Sequence, residues 1–193
     1  MYLKRMTAKY LQTLLSPAAR ALQNEDGSRE IYENMEARSD GSDDRLTERE
    51  IRFLEARDSF YMASVTEDGW PYVQHRGGPK GFLKALSDRQ IGFADFRGNR
   101  QFMSAGNLTA NSRVSLILVD YPARRRLKIA GHARFLRLSE APDIVAKLAL
   151  PGTENEAQGA MVIDVTAFDW NCPKYITPRW TADEIDMIAG ANS

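Results

Sequence analysis

The sequence predicts a mainly β protein with helices: an antiparallel barrel of about six strands behind a helical N-terminal extension. Three observations predict it. From Ser59 onward, apolar residues recur with a period of two, in short segments. Polar turn residues punctuate those segments closely enough for hairpins. Ahead of Ser59 the apolar period is helical, and a polar, acidic Ser/Gly/Asp stretch over 39–44 divides the two regimes. Strands joined in this way close, or partly close, on themselves.

The stretch from Tyr2 to about Leu22 reads as one helix, because Tyr10, Leu11, Leu14, Leu15, Ala18 and Leu22 share a helical face. Residues 24–27 read as a turn and Ile31–Ala37 as a short helix. Thr47 and Glu50 form a capping box, which starts a helix running to about Arg57. The domain boundary therefore falls near Arg45, with 1–45 as extension and linker and 46–193 as the barrel domain. Ser59–Thr66 and Pro71–Arg76 form a hairpin around Glu67-Asp68-Gly69. Gly81–Leu86 and Gln90–Asp95 form a second around Ser87-Asp88-Arg89. Arg113–Tyr121 is apolar on both faces and reads as a central strand. Arg126–Leu138 and Ala160–Phe168 complete the strands. Short helices fit Asn99–Asn107, Ala141–Leu150 and Thr181–Ile188, the last opened by a capping box of Thr181 and Glu184.

Composition excludes several function classes. Lys plus Arg number 26 and Asp plus Glu 26, so the basic footprint of a nucleic-acid or anionic-membrane partner is missing. No apolar run approaches the ~20 residues that span a bilayer, and the cytoplasm is the expected compartment. Cys172, the only cysteine, reads as a buried inert thiol before Pro173. With two histidines and one cysteine, no metal-ligand spacing arises and no metal is expected. His132 reads as a barrel residue. No Gly-x-Ser-x-Gly elbow is present. Arg124-Arg125-Arg126 with Lys128 reads as a solvated hairpin end.

Phosphate chemistry is where the residues speak. Asp95-Phe96-Arg97-Gly98-Asn99-Arg100-Gln101 leaves a strand and opens a helix, with Asn99 suited to the N-cap. Helix N-termini present unpaired N–H groups, and Arg97 and Arg100 add forked donors. A capped loop with solvated arginines fits the same residues. Gln74-His75-Arg76-Gly77-Gly78-Pro79-Lys80-Gly81 sets glycines beside cations and a histidine. Glycines allow close backbone approach to a ligand, though a β-bulge or wide loop uses them equally. Trp170 to Lys174 and Ile176 to Trp180 carry aromatic and arginine side chains that suit either a planar ligand or core packing.

Taken together and in this order, the segments 57–61, 69–78, 93–101 and 170–179 resemble the pyridoxamine 5′-phosphate oxidase superfamily of FMN-binding split barrels, closest to its flavin-nucleotide-binding branch. The resemblance covers roughly Phe53 to Arg179. It implies a six-stranded antiparallel split β-barrel holding flavin mononucleotide (FMN) at a homodimer interface. The family's cofactor-lining positions fall on Gln74, His75, Arg76, Gly77, Gly78 and Pro79. The oxidases carry arginine where Gln74 stands, and Arg76, two residues on and on the same strand face, supplies the charge. Their Gly-Ser-Arg-Lys phosphate motif resembles Gly98-Asn99-Arg100-Gln101, with Arg100 the matched cation. Phe93, Ala94 and Asp95 would run past the ring. Arg126 matches a glutamine that meets the ring edge, and Lys128 or Arg179 could also set a cation there. Trp170 and Arg179 would close over the flavin from the partner subunit.

The oxidases' C-terminal Arg-x-His is replaced by Pro178-Arg179-Trp180, so vitamin B6 oxidation is not implied. The resulting expectation is an FMN-dependent oxidoreductase acting on a small molecule. A flavin carrier or sensor without turnover is the alternative, as is a barrel that binds deazaflavin or heme.

Overall fold

The computed structural model describes residues 7–38, 44–96, 98, 101–153, 156–171 and 174–190. The N-terminal extension begins with α1 (Ala8–Leu14) and α2 (Pro17–Asp26) rather than one long helix. Proline at the start of α2 has no N–H to continue α1 and pushes Ser16 into extended backbone, where its side chain caps Ala19 N at 3.1 Å. α2 runs through the expected turn and stops at Gly27, whose φ of 77° suits glycine. α3 (Arg29–Glu36) follows. Neither α2 nor α3 buries a residue. Glu36 of α3 pairs with Arg20 of α2 at 3.0 Å, Arg29 of α3 donates to Gln23 Oε1 of α2 at 2.8 Å, and the Glu36 carbonyl accepts Gln12 Nε2 from α1 at 2.7 Å. α1 alone docks on the barrel: Tyr10 packs with Ala130 and Ala167, and Thr7 Oγ1 donates to Phe168 O at 2.5 Å.

The predicted capping box of Thr47 and Glu50 opens α4 (Glu48–Glu55). The strands are β1 (Ser59–Val65), β2 (Pro71–Gly77), β3 (Lys84–Ser87), β4 (Gln90–Phe96), β5 (Arg113–Asp120), β6 (Arg125–Arg137) and β7 (Ala157–Asn171). That is seven, one for each segment read as a strand, against the six of the expected barrel. They form one antiparallel sheet in the order β2-β1-β5-β6-β7-β4-β3. Its concave face wraps a core of Leu54, Phe60, Met62, Leu118, Leu127 and Ile163, each almost wholly withdrawn from water. This is an open, split-barrel arrangement. β5 is an interior strand, but its second face is only half covered at Ile117 and Val119. β6 and β7 form the longest ribbon, and their register shifts at Ala130/Gly131. A Cβ at Gly131 would run into the Asp164 carbonyl, so the ribbon bends there over a glycine.

α5 (Met103–Ala110), α6 (Pro142–Leu148) and α7 (Ala182–Gly190) match the three expected short helices, with one correction. α5 starts four residues later than expected. Its N-cap is Phe102, in left-handed backbone at φ 51°, so Asn99 does not cap it. No helix among the described residues is long and apolar enough to cross a membrane. The tip of the β5–β6 hairpin is the arginine run, with Arg124 at φ 53° and exposed.

Candidate functional site

The alternation of β2 decides which of its side chains serve a site. Tyr72, Gln74 and Arg76 share one half-buried face, and Val73 and His75 point the other way. His75 is exposed, with its ring edge-on to Tyr61 at 5.4 Å, so it is turned from the face that Gln74 and Arg76 share. That shared face looks toward the inner end of β4. Arg76 Nη1 lies 3.5 Å from Asp95 Oδ1, and the guanidinium sits 5.5 Å above the Phe93 ring. Burial disfavours charge on both groups: it pulls the Arg76 guanidinium below its ordinary value and pushes the Asp95 carboxyl up, each partly offset by the other. Arg76 Nε is buried and has no hydrogen-bond partner among the described residues.

Two cavities meet at this pair. A polar one of about 110 Å³ is walled by Gln74, Arg76, Asp95, Gln101, Ser104 and Gln158. Ser104, buried in the first turn of α5, donates to Gln74 Oε1 at 2.8 Å and so ties helix to strand. A second cavity, of about 400 Å³, is mainly apolar, with Phe82, Phe93 and Leu148 as walls and Gly77, Gly78 and Pro79 along one side. The glycine loop is pinned by Gly78 N to Asp58 O at 2.9 Å and Gly81 N to Glu55 O at 2.7 Å. A Cβ on Gly78 would come within 2.8 Å of the Phe82 ring, so the wall needs glycine there.

Of the residues singled out from sequence, Gln74, Arg76, Gly77, Gly78, Pro79, Phe93, Ala94, Asp95 and Gln101 are thus brought together. Arg97, Asn99 and Arg100 lie outside the described residues, as does Cys172. Arg126, Lys128, Trp170 and Arg179 line neither cavity. Lys128 is seven residues along β6 from Phe135, which lines the polar cavity, or roughly 23 Å of strand. Lys128 Nζ stands 3.6 Å from the fully buried Asp169 and 4.8 Å from the Tyr10 ring centre. Burial and Asp169 push the Tyr10 phenol up to about 12. Arg179 lies over the Tyr121 ring at 5.2 Å.

Trp170, expected to close over the flavin of the partner subunit, is buried against residues of its own chain. Its Nε1 donates to Glu50 Oε1 at 2.6 Å, Phe53 meets it edge-on at 4.7 Å, and Arg49 covers its ring at 4.2 Å. His132 is exposed on β6, with Ser112 Oγ at 2.9 Å from Nδ1. Among the described residues no group of three His, Cys, Asp or Glu could hold a metal ion.

Sequence reasoning missed Tyr72, Phe82, Ser104 and Gln158. Tyr72 was findable from the β2 alternation that selects Gln74 and Arg76. The other three arrive from separate elements, with no local signal.

Comparison with known proteins places this geometry. The family described as Pyridoxamine 5'-phosphate oxidase matches residues 46–171. Its span starts just ahead of α4 and ends with β7, leaving out the N-terminal helices and α7. No curated protein matches the sequence. Among solved structures, a HupZ variant from Group A Streptococcus superposes with a TM-score of 0.53 at 13% identity, over 65% of this chain and 99% of that one. A second HupZ structure gives 0.51 at 15%, over 64% and 92%. An FMN-binding protein from Syntrophomonas wolfei gives 0.44 at 15%, over 80% and 95%. At these identities the likeness to the two HupZ structures is one of fold. The family match covers most of the chain, from the helix that caps the barrel to the last strand of the site, and the chain belongs to the pyridoxamine 5′-phosphate oxidase family.

Proposed function

We propose that this chain is an FMN-binding flavoprotein that works as a homodimer and oxidises or reduces a small molecule. The observation that carries the reading is the cleft at Arg76. A half-buried guanidinium, whose buried Nε has no partner among the described residues, opens a polar cavity beside a larger apolar one. That pairing suits a ligand with a phosphate at one end and a flat apolar body at the other. Arg76, Gln74 and Gln101 would hold the phosphate, with Arg100 joining them as the resemblance implies. Gly77, Gly78 and Phe93 would flank the ring, and a side chain on Gly78 would collide with the Phe82 wall. Bound FMN would supply hydride transfer through its ring. The protein's part is to bind it, orient it and keep water from one side.

Arg126, Lys128 and Arg179 lie too far along β6 and the C-terminal segment to join this cleft in the same chain. In the homodimer that the resemblance implies, a second copy would have to bring them. Purified protein should be yellow or take up FMN, with bands near ~370 and ~450 nm typical of the cofactor. A deazaflavin or a heme would show different bands. A colourless protein that FMN titration leaves unchanged would overturn the reading. Light scattering on the loaded protein should give about twice 21.8 kDa.

A further inference from the structure

Among the described residues, Arg76 is the only cation lining either cavity, and Asp95 is the carboxylate set against it. A guanidinium has five donors. Asp95 stands at Nη1, and the buried Nε is left over. An anion entering beside Arg76 therefore shares it with a carboxylate already in place. Two anions on one guanidinium, in a half-buried site, repel each other. The repulsion is relieved when the carboxylate gains a proton, and the resulting carboxyl can donate a hydrogen bond to the newcomer.

We propose that Asp95 is an internal counter-anion for Arg76 which a ligand phosphate displaces, so that a phosphate binds here together with a proton taken up at Asp95. The inference deepens the flavin-nucleotide reading of the cleft and rests on it. Burial already favours the neutral form of this carboxyl, and Arg76 is what opposes it. The charged and titratable groups around it are few. β2 presents Arg76 and Tyr72, the segment before β7 presents Glu156 at the apolar cavity, and α5 and β7 present the uncharged Ser104 and Gln158. Arg97 and Arg100 follow Asp95 in the chain, outside the described residues. As a positioning residue, Asp95 also holds the guanidinium in the empty cleft so that Nε stays available.

The experiment is calorimetric titration at pH 8 in two buffers of different ionisation enthalpy, which counts protons. At that pH a free phosphate monoester is already dianionic, its second pKa being about 6. FMN and riboflavin are titrated into the full chain and into Asp95→Asn, which keeps the shape and an acceptor oxygen. The full chain should take up close to one more proton per FMN than the variant. The variant should bind FMN at least about tenfold more tightly at pH 8, since it needs no proton from solution to become neutral. Riboflavin, without a phosphate, should bind both proteins alike with no proton uptake, which also reports that the variant is folded. Equal proton counts for FMN in the two proteins would overturn the proposal and leave the flavin reading intact. FMN failing to bind the full chain would overturn that reading as well. If the variant does not fold, the full chain alone decides: a proton count for FMN equal to that for riboflavin overturns the proposal.

Discussion

Arg76 and Asp95 touch at 3.5 Å although four strands stand between β2 and β4 in the hydrogen-bonded order of the sheet. The pair therefore spans the opening of the split barrel. Curvature of the sheet brings its first and sixth strands face to face, and the cleft lies where they fail to pair.

Removing the cation should cost phosphate recognition and little else. Truncating one side of a buried charged contact costs on the order of 2–5 kcal/mol. Arg76→Ala should therefore weaken FMN by about 30-fold or more, at ~1.4 kcal/mol per tenfold. Riboflavin affinity should change by less than about threefold, since the lost contact is to the phosphate. Arg100→Ala should behave in the same way. Fluorescence titration of both ligands is the measurement, and parallel losses for the two would assign the phosphate elsewhere.

Gly78→Ala should narrow the apolar cavity. Its Cβ would meet Phe82 Cγ at 2.8 Å and Cβ at 2.9 Å, atoms close to the backbone that cannot swing aside. Forcing in a methyl group of this kind costs about 1–3 kcal/mol. Affinity for FMN and for riboflavin should fall together, in contrast to the Arg76 variant. Urea denaturation of the ligand-free protein should show the same destabilisation.

Trp170→Phe separates structure from cofactor binding. The indole N–H is the donor that meets the buried Glu50 carboxylate at 2.6 Å. Losing it leaves that oxygen short of a partner, at about 1–3 kcal/mol. The denaturation midpoint should drop while flavin affinity stays within about twofold, the phosphate contacts being intact. A large loss of flavin with unchanged stability would return Trp170 to the cofactor.

Asp169 makes stability depend on pH. It is fully buried on the outer side of β7, and burial pushes its carboxyl up, with Lys128 the largest opposing influence. A folded value above the unfolded one, about 3.9, means the folded state holds the proton more tightly. The stabilisation from this group is complete below about pH 3.9 and is lost as pH rises through the folded value. Asp169→Asn should therefore gain on the wild-type protein as pH increases from 4 toward neutrality. Guanidinium denaturation of both proteins across that range is the check, and parallel stability curves would contradict it.

Much of the fold was legible because its signals are local. The capping boxes at Thr47/Glu50 and Thr181/Glu184 form as read, since each needs only four consecutive residues. The hairpins around Gly69 and Asp88 follow from turn chemistry and a period of two. The break at Ser16-Pro17 was equally local, and apolar spacing across it concealed a proline whose missing N–H ends α1. The start of α5 was not local in this sense: the expected Asn99 cap lies three residues too early, and Phe102 takes the position in a backbone that aromatic residues seldom adopt.

By itself the sequence determined the strands, their alternation and the set of candidate residues, because periodicity and turn preference act within a few residues. It could not say that Arg76 faces Asp95, that His75 turns outward from the same strand, or that Trp170 is spent on Glu50. Those outcomes depend on which strands pair, in what register, and how far the sheet curls before its edges meet. Register is set by the whole buried face at once, and a shift of one residue would reverse every side chain on the strand. The site exists only where the curved sheet brings β2, β4 and α5 to one opening.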